Sequence, residues 1–181
     1  MKVLEMDKLD LTAYHIFCDL DGVLCDFEHD VQRITGLHPK QFKKKTHPEY
    51  REGDPLEKDM WRQLSRADSF YANLPWMPGG KELWNKIKEY KPVILTGVPL
   101  GNWASKQKRE WCKKNLGGDV PVITCLAREK SQYAMKYIGS DDLSQAILID
   151  DTPRNIDSWE SHKGKGILHK NLSKTISELS L

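Results

Sequence analysis

Asp19 and Asp21 stand one residue apart at the end of the apolar run Tyr14–Leu20, and Gly22 follows them. A buried strand that stops there concentrates negative charge at one sheet edge, so a proton or a cation must share the space. Three later landmarks also follow apolar runs: Thr96, Lys130 and the pair Asp150-Asp151. In this order they suit phosphoryl transfer around magnesium, a hard cation served by oxygen ligands. Asp19 would attack phosphorus and form an aspartyl phosphate, splitting one difficult hydrolysis into two displacements. Asp21 would protonate the leaving alkoxide and then deprotonate the attacking water. Asp19, the backbone carbonyl of Asp21 and the Asp150-Asp151 pair would hold the ion, whose charge lets carboxylates and a phosphate dianion share one pocket. Thr96 and the Gly97 amide would bind a phosphoryl oxygen, and Lys130 would neutralise the charge that develops in the transition state.

These residues need a scaffold. Short apolar runs at Tyr14–Leu20, Pro92–Leu95, Pro121–Leu126, Ala146–Ile149 and Gly166–Leu168 lack alternation, as strands covered on both faces do. Helical stripes lie between them: Leu83, Trp84, Ile87 and Tyr90 after Gly79-Gly80, then Ala104, Trp111, Cys112 and Leu116 before Gly117-Gly118. Tyr133 with Met135–Ile138, and Ile156–Trp159, read as two more. Strands alternating with helices predict an α/β fold, a doubly wound parallel sheet of Rossmann-like form. Ligands bind such sheets beyond the carboxyl ends of the strands, where all the landmark residues fall. The similar pair Asp141-Asp142 lies at the opposite end of its strand and should be a surface turn. Lys108 shares the inward stripe of its helix with Ala104, Trp111 and Cys112, so it either snorkels to water or points to the phosphate edge.

The interval from Phe27 to Met77 carries no strand-like run. Helix-compatible pieces at His29–Thr35 and Met60–Arg66 are separated by polar, proline-marked turns, and Pro75–Gly80 reads as a hinge. The expected organisation is a core of residues 1–26 and 78–181 with a small helical cap, residues 27–77, inserted after the first strand. A cap of roughly fifty residues has little core to fill, so Trp61, Phe70 and Trp76 are candidates to stack on a ligand, with Phe27 best placed where cap and core meet. Trp84, Trp103, Trp111 and Trp159 fall on or beside helical stripes and read as core. Lys43-Lys44-Lys45 reads as a solvated face rather than an anion-attracting one.

Composition narrows the classes. With 28 basic and 26 acidic residues the formal net charge is +2, which argues against a general binder of nucleic-acid polymers. No apolar stretch approaches the roughly 20 residues needed to cross a bilayer, and the N-terminus lacks an apolar signal segment. Cys18, Cys25, Cys112 and Cys125 form no C-x-x-C pair and read as buried hydrophobes in a reduced, cytoplasmic setting. The sequon Asn171-Leu172-Ser173 then carries no meaning. The six histidines show no zinc-ligand spacing. A homodimer is left open.

Asp19-Leu-Asp-Gly-Val followed by Thr96, Lys130 and Asp150-Asp151 resembles the haloacid-dehalogenase superfamily of phosphatases. More narrowly the chain is similar to the 5'(3')-deoxyribonucleotidase family, in Asp19–Glu28, Leu74–Gly80, Ile94–Pro99, Lys108–Trp111 and Ile147–Pro153. The resemblance runs from about Tyr14 to Leu168. It implies magnesium, Asp19 as nucleophile, Asp21 as acid/base, and Asp151 as the direct metal ligand of its pair. It also implies phosphate contacts from Thr96, Lys108 and Lys130 and base stacking on Phe27. The residue after the acidic pair is Thr152, where well-studied members carry Arg, and Arg154 follows two positions on. Base preference is therefore not carried over. The expected activity is hydrolysis of 5'-nucleoside, particularly deoxyribonucleoside, monophosphates. The rivals are a phosphatase of the same fold acting on a sugar or other small phosphate ester, and a non-catalytic nucleotide-binding module. A phospho-accepting receiver would carry its paired acids on the first strand and its phosphorylated Asp on the third, which is not the order here.

Overall fold

The computed structural model describes residues 9–43 and 55–181. Five parallel strands form one sheet in the order β3-β2-β1-β4-β5: β1 His15–Cys18, β2 Val93–Gly97, β3 Val122–Cys125, β4 Ala146–Asp150 and β5 Lys165–Leu168. Each predicted strand is present. β2 and β4 run slightly longer than their apolar runs, through Gly97 and Asp150, so the polar residues at their ends belong to the sheet. In register, Cys18 lies beside Ile94 on one side and Ile149 on the other, which sets the two aspartate-bearing ends level.

Helices α1 Phe27–Thr35, α2 Glu57–Arg66, α3 Gly80–Ile87, α4 Trp103–Asn115, α5 Lys130–Ile138, α6 Pro153–Ser161 and α7 Leu172–Glu178 complete the fold. Alternate strand residues serve opposite faces. Ile16, Cys18, Ile94, Ile147, Ile149 and Ile167 pack with α3 and α4, through Leu83, Ile87, Ala104, Trp111 and Cys112, and with Leu179. Phe17, Val93, Leu95, Leu148 and Cys125 pack with α5 and α6, through Ala134, Ile156 and Trp159. Both faces are thus sealed, as the non-alternating runs require. The chain winds from β1 outward to β3 and then returns to β4 on the other side of β1. The strand order therefore reverses at β1, and a crevice opens there above the carboxyl ends.

Among the described residues, the stretch between β1 and α3 carries α1, α2 and two short 3₁₀ turns, Pro39–Phe42 and Tyr71–Asn73. Asp26 caps α1 by accepting from the His29 amide at 3.1 Å, so Phe27 is the first helical residue. Val31, Phe42, Met60, Leu64, Phe70 and Leu74 from this stretch are buried in the same cluster as one sheet face. Its two legs run side by side: Cys25 forms an isolated antiparallel bridge with Trp76, the Asp26 amide donates to the Pro75 carbonyl, and the Met77 amide donates to the Leu24 carbonyl. The hinge read at Pro75–Gly80 is half of this ribbon. Lys43 is exposed, while Lys44 and Lys45 lie outside the described residues.

Helix α7 is an addition to the sequence reading. Leu172, Ile176 and Leu179 carry the helical spacing that marks it, and Asn171 caps it by accepting from the Lys174 amide at 2.9 Å. The sequon asparagine thus has a structural use. Among the described residues no helix is long and apolar enough to cross a membrane.

Candidate active site

A cavity of about 910 Å³ opens over the carboxyl ends of the strands. Asp19, Asp21, Gly22, Gly97, Lys130, Asp151 and His169 line its floor, and Phe27, Trp61 and Tyr71 line the wall contributed by the stretch between β1 and α3. This volume lies in the range of small-ligand sites.

Asp19, Asp150 and Asp151 each offer a carboxylate oxygen, and these oxygens lie within 4.8 Å of one another. Lys130, the first residue of α5, reaches Asp19 Oδ2 at 2.9 Å and Asp150 Oδ2 at 2.5 Å. Burial works against its charge, but the two carboxylates outweigh it and raise the Lys130 pKa above the usual lysine value. Asp19 is further held by the Leu20 amide, 2.8 Å from Oδ1. Asp150 is fully buried and heavily committed: the Thr152 amide and Asn155 Nδ2 donate to Oδ1, and Asn155 and Lys130 to Oδ2. Asp151 is open to the cavity and, among the described residues, accepts only from the Thr152 hydroxyl, at 3.2 Å. Partial desolvation, then the charges of Asp19 and Asp150, push its carboxyl up to about 7.

Gly22 explains how Asp151 comes so close. Its φ is +76°, and a Cβ there would stand 2.1 Å from Asp151 Oδ2. A side chain at this position would be strained and would displace the carboxylate.

Asp21 sits on the turn beside Gly22. Its Oδ2 accepts from Lys108 at 2.7 Å, whereas Oδ1 is buried without a hydrogen-bond partner among the described residues. Burial raises the Asp21 pKa and the Lys108 charge opposes it. Lys108 therefore does not snorkel. It is 1% exposed, and its Nζ also donates to the Thr96 hydroxyl at 3.0 Å and the Gly97 carbonyl at 2.7 Å.

The observed donor set suits a hard divalent cation. Three carboxylates cluster, Lys130 reaches two of them, a glycine leaves room beside the third, and every donor is oxygen. Among the three, Asp150 is the most fully bonded within the protein, which leaves Asp19 and Asp151 the freer ligands. Thr96 differs from its expected placement: it is fully buried with its hydroxyl taken by Lys108, and Gly97 is the member of the pair at the cavity wall.

The cap aromatics divide. Phe27 and Trp61 lie on the cavity wall, 5.9 Å apart between ring centroids. Phe70 and Trp76 do not reach it. Phe70 is 1% exposed, packed edge-on against Phe27 and Tyr71, and Trp76 packs against Trp111 at 4.9 Å. Both serve the core because the described cap residues share one apolar cluster with the sheet face, giving these rings something to bury against. Tyr71, Asn155 and His169 are site residues that the sequence reading did not single out. Asp142 behaves as the surface turn it was expected to be, accepting from Ser144 and Lys163.

Comparison with solved structures places the architecture. A haloacid dehalogenase-like hydrolase from Streptococcus pneumoniae matches with TM-score 0.57 and 16% identity, covering 87% of this chain and 84% of its own. A haloacid dehalogenase (HAD) family hydrolase from Deinococcus radiodurans, with bound phosphate and sodium, matches with TM-score 0.55 and 14% identity, covering 94% and 89%. The fold is that of the haloacid-dehalogenase hydrolases. Residues 13–176 match the model of the family described as "5' nucleotidase, deoxy (Pyrimidine), cytosolic type C protein", and the chain belongs to that family. It is a hydrolase of 5'-nucleotidase type. Among curated relatives, the "Putative 5'(3')-deoxyribonucleotidase" of Bordetella pertussis is 27% identical over 147 residues, covering 76% of this chain and 74% of that protein. The like-named protein of Bordetella bronchiseptica matches to the same extent.

Proposed function

We propose that this chain is a magnesium-dependent phosphomonoesterase that hydrolyses 5'-nucleoside monophosphates, deoxyribonucleotides foremost, through an aspartyl-phosphate intermediate. The observation that carries it is the meeting of Asp19, Asp150 and Asp151 within 4.8 Å at the floor of a cavity whose wall holds Phe27, Trp61 and Tyr71. Names of the relatives support the nucleotide as substrate, and the aromatic wall supplies faces on which a base stacks.

Asp19 and Asp151, with the Asp21 carbonyl and Asp150 beside them, would hold the magnesium ion. When bound, the ion screens the carboxylates from the substrate's phosphate and withdraws charge from it. Asp19, held by the Leu20 amide and Lys130, forms a bond to phosphorus as the bond from phosphorus to the 5'-oxygen breaks. Asp21 gives its proton to that oxygen and releases the nucleoside. The same carboxylate then takes a proton from water, whose oxygen attacks phosphorus, freeing Asp19 and inorganic phosphate. Lys130 uses two of its three protons on Asp19 and Asp150, and the third is available to a phosphoryl oxygen. The Gly97 backbone lines the same wall.

Asp19→Asn keeps the shape of the side chain and removes the nucleophile. Phosphate release from a panel of ribo- and deoxyribonucleoside 5'- and 3'-monophosphates and sugar phosphates, with and without magnesium, tests the reading. The expected result is turnover of 5'-nucleotides by the parent chain with magnesium and none by Asp19→Asn. Activity persisting in the folded variant refutes the nucleophile assignment, and a sugar phosphate cleaved with higher kcat/KM refutes the substrate class.

A further inference from the structure

Lys108 carries three N–H protons, and three acceptors surround them: Asp21 Oδ2 at 2.7 Å, the Gly97 carbonyl at 2.7 Å and Thr96 Oγ1 at 3.0 Å. None is left for a phosphate oxygen. The side chain is 1% exposed and takes no part in the cavity wall, whereas Lys130 does. Tyr71 covers the remaining side, its ring centroid 4.5 Å from Nζ, where the π face attracts the cation. Tyr71 is fixed in turn by Trp103, 5.4 Å away between ring centroids, and by its amide, which donates to Gln107 Oε1 at 2.8 Å.

We infer that Lys108, roofed by Tyr71, is a positioning residue for Asp21 rather than a phosphate contact. This rests on the phosphatase reading above. The bond to Oδ2 fixes the rotation of the Asp21 carboxyl, which lines the cavity that the leaving-group oxygen must enter. As the phosphorus–oxygen bond breaks, the proton on Asp21 passes to that oxygen. A misaligned acid therefore costs most where the leaving group is strongly basic. A nucleoside 5'-alkoxide needs the proton, whereas p-nitrophenolate departs largely without it. A phosphate contact, by contrast, is made alike with every ester and with product phosphate.

The test compares kcat/KM for a deoxyribonucleoside 5'-monophosphate and for p-nitrophenyl phosphate, together with inhibition by inorganic phosphate. In Lys108→Met the nucleotide rate should fall about a hundredfold and the p-nitrophenyl phosphate rate about fivefold or less, the range expected for loss of a positioned general acid. The Ki of inorganic phosphate should stay within about twofold of the parent, since product phosphate needs no acid. Equal falls for the two esters overturn the inference, as does loss of phosphate inhibition. Tyr71 supplies a second arm that decides the matter even if Lys108→Met does not fold. Tyr71→Leu removes the π face and should lower kcat for the nucleotide at saturation selectively, an effect that lost base stacking would place in KM instead, while Tyr71→Phe keeps the face and the parental ratio of the two kcat values. An unchanged ratio in Tyr71→Leu overturns the inference. A parent chain that cleaves neither ester refutes the phosphatase reading itself and takes this inference with it.

Discussion

Lys130 and Lys163 each pair with aspartate, and replacing each by methionine separates a buried ion pair from a surface one. Lys130 is 3% exposed and stands between Asp19 and Asp150, the latter wholly buried. Removing it leaves two buried carboxylates facing one another, and breaking such a pair costs about 3–5 kcal/mol. For a chain of this size about 1 kcal/mol moves Tm by roughly 2–4 °C, so Lys130→Met should melt about 6–20 °C below the parent. Lys163 meets Asp142 at 3.1 Å, but its side chain is 74% exposed. Exposed pairs are screened by water and contribute little, so Lys163→Met should shift Tm by no more than about 4 °C. Thermal melts followed by circular dichroism in excess chelator isolate the lysine's effect from any bound metal. Equal shifts in the two variants would refute the electrostatic account of the site.

Gly22→Ala should fold with a loss of about 1–2 kcal/mol from its left-handed backbone, and chelator-stripped protein should bind magnesium at least about tenfold more weakly by titration calorimetry. Undiminished binding would show that Asp151 does not need the space beside Gly22. Phe27→Ala should raise KM for nucleotides about tenfold or more, matching loss of one base-stacking face. Trp76→Ala should lower Tm and leave that KM unchanged, and a KM rise there would return Trp76 to the ligand wall. Burial pushes the thiols of Cys112 and Cys125 up to about 12 and about 11. Because the thiolate is the reactive form, neither should be labelled by iodoacetamide at pH 8 until the chain is denatured, as peptide mass spectrometry would show.

Much of the site was legible because its residues lie at strand ends, where topology dictates proximity. Asp19 is far in the chain from the adjacent pair Asp150-Asp151, yet parallel strands with level ends must bring them together. Lys108 was readable as inward from its spacing with Ala104 and Trp111, although its partners were not. The aromatic wall resisted such reading. Phe70 and Tyr71 are adjacent in the chain and both rings are buried, yet only Tyr71 borders the cavity, a difference set by a 3₁₀ turn that no periodicity marks. Asn155 reaches Asp150 only because α6 starts at Pro153, and an isolated asparagine carries no motif. Thr96 faces inward because Lys108 arrives beneath it from α4, a tertiary contact invisible in its own neighbourhood.

The paired legs at Cys25 and Trp76 have a mechanical meaning. The two ends of the stretch they enclose are tied together there, so a change in its length need not stretch the strand ends that hold Asp19 and Asp151. The clustered carboxylates belong to strand ends of the sheet, whereas Phe27, Trp61 and Tyr71 on the cavity wall belong to the stretch that those legs close. Changing what the molecule accepts therefore need not disturb how it cuts.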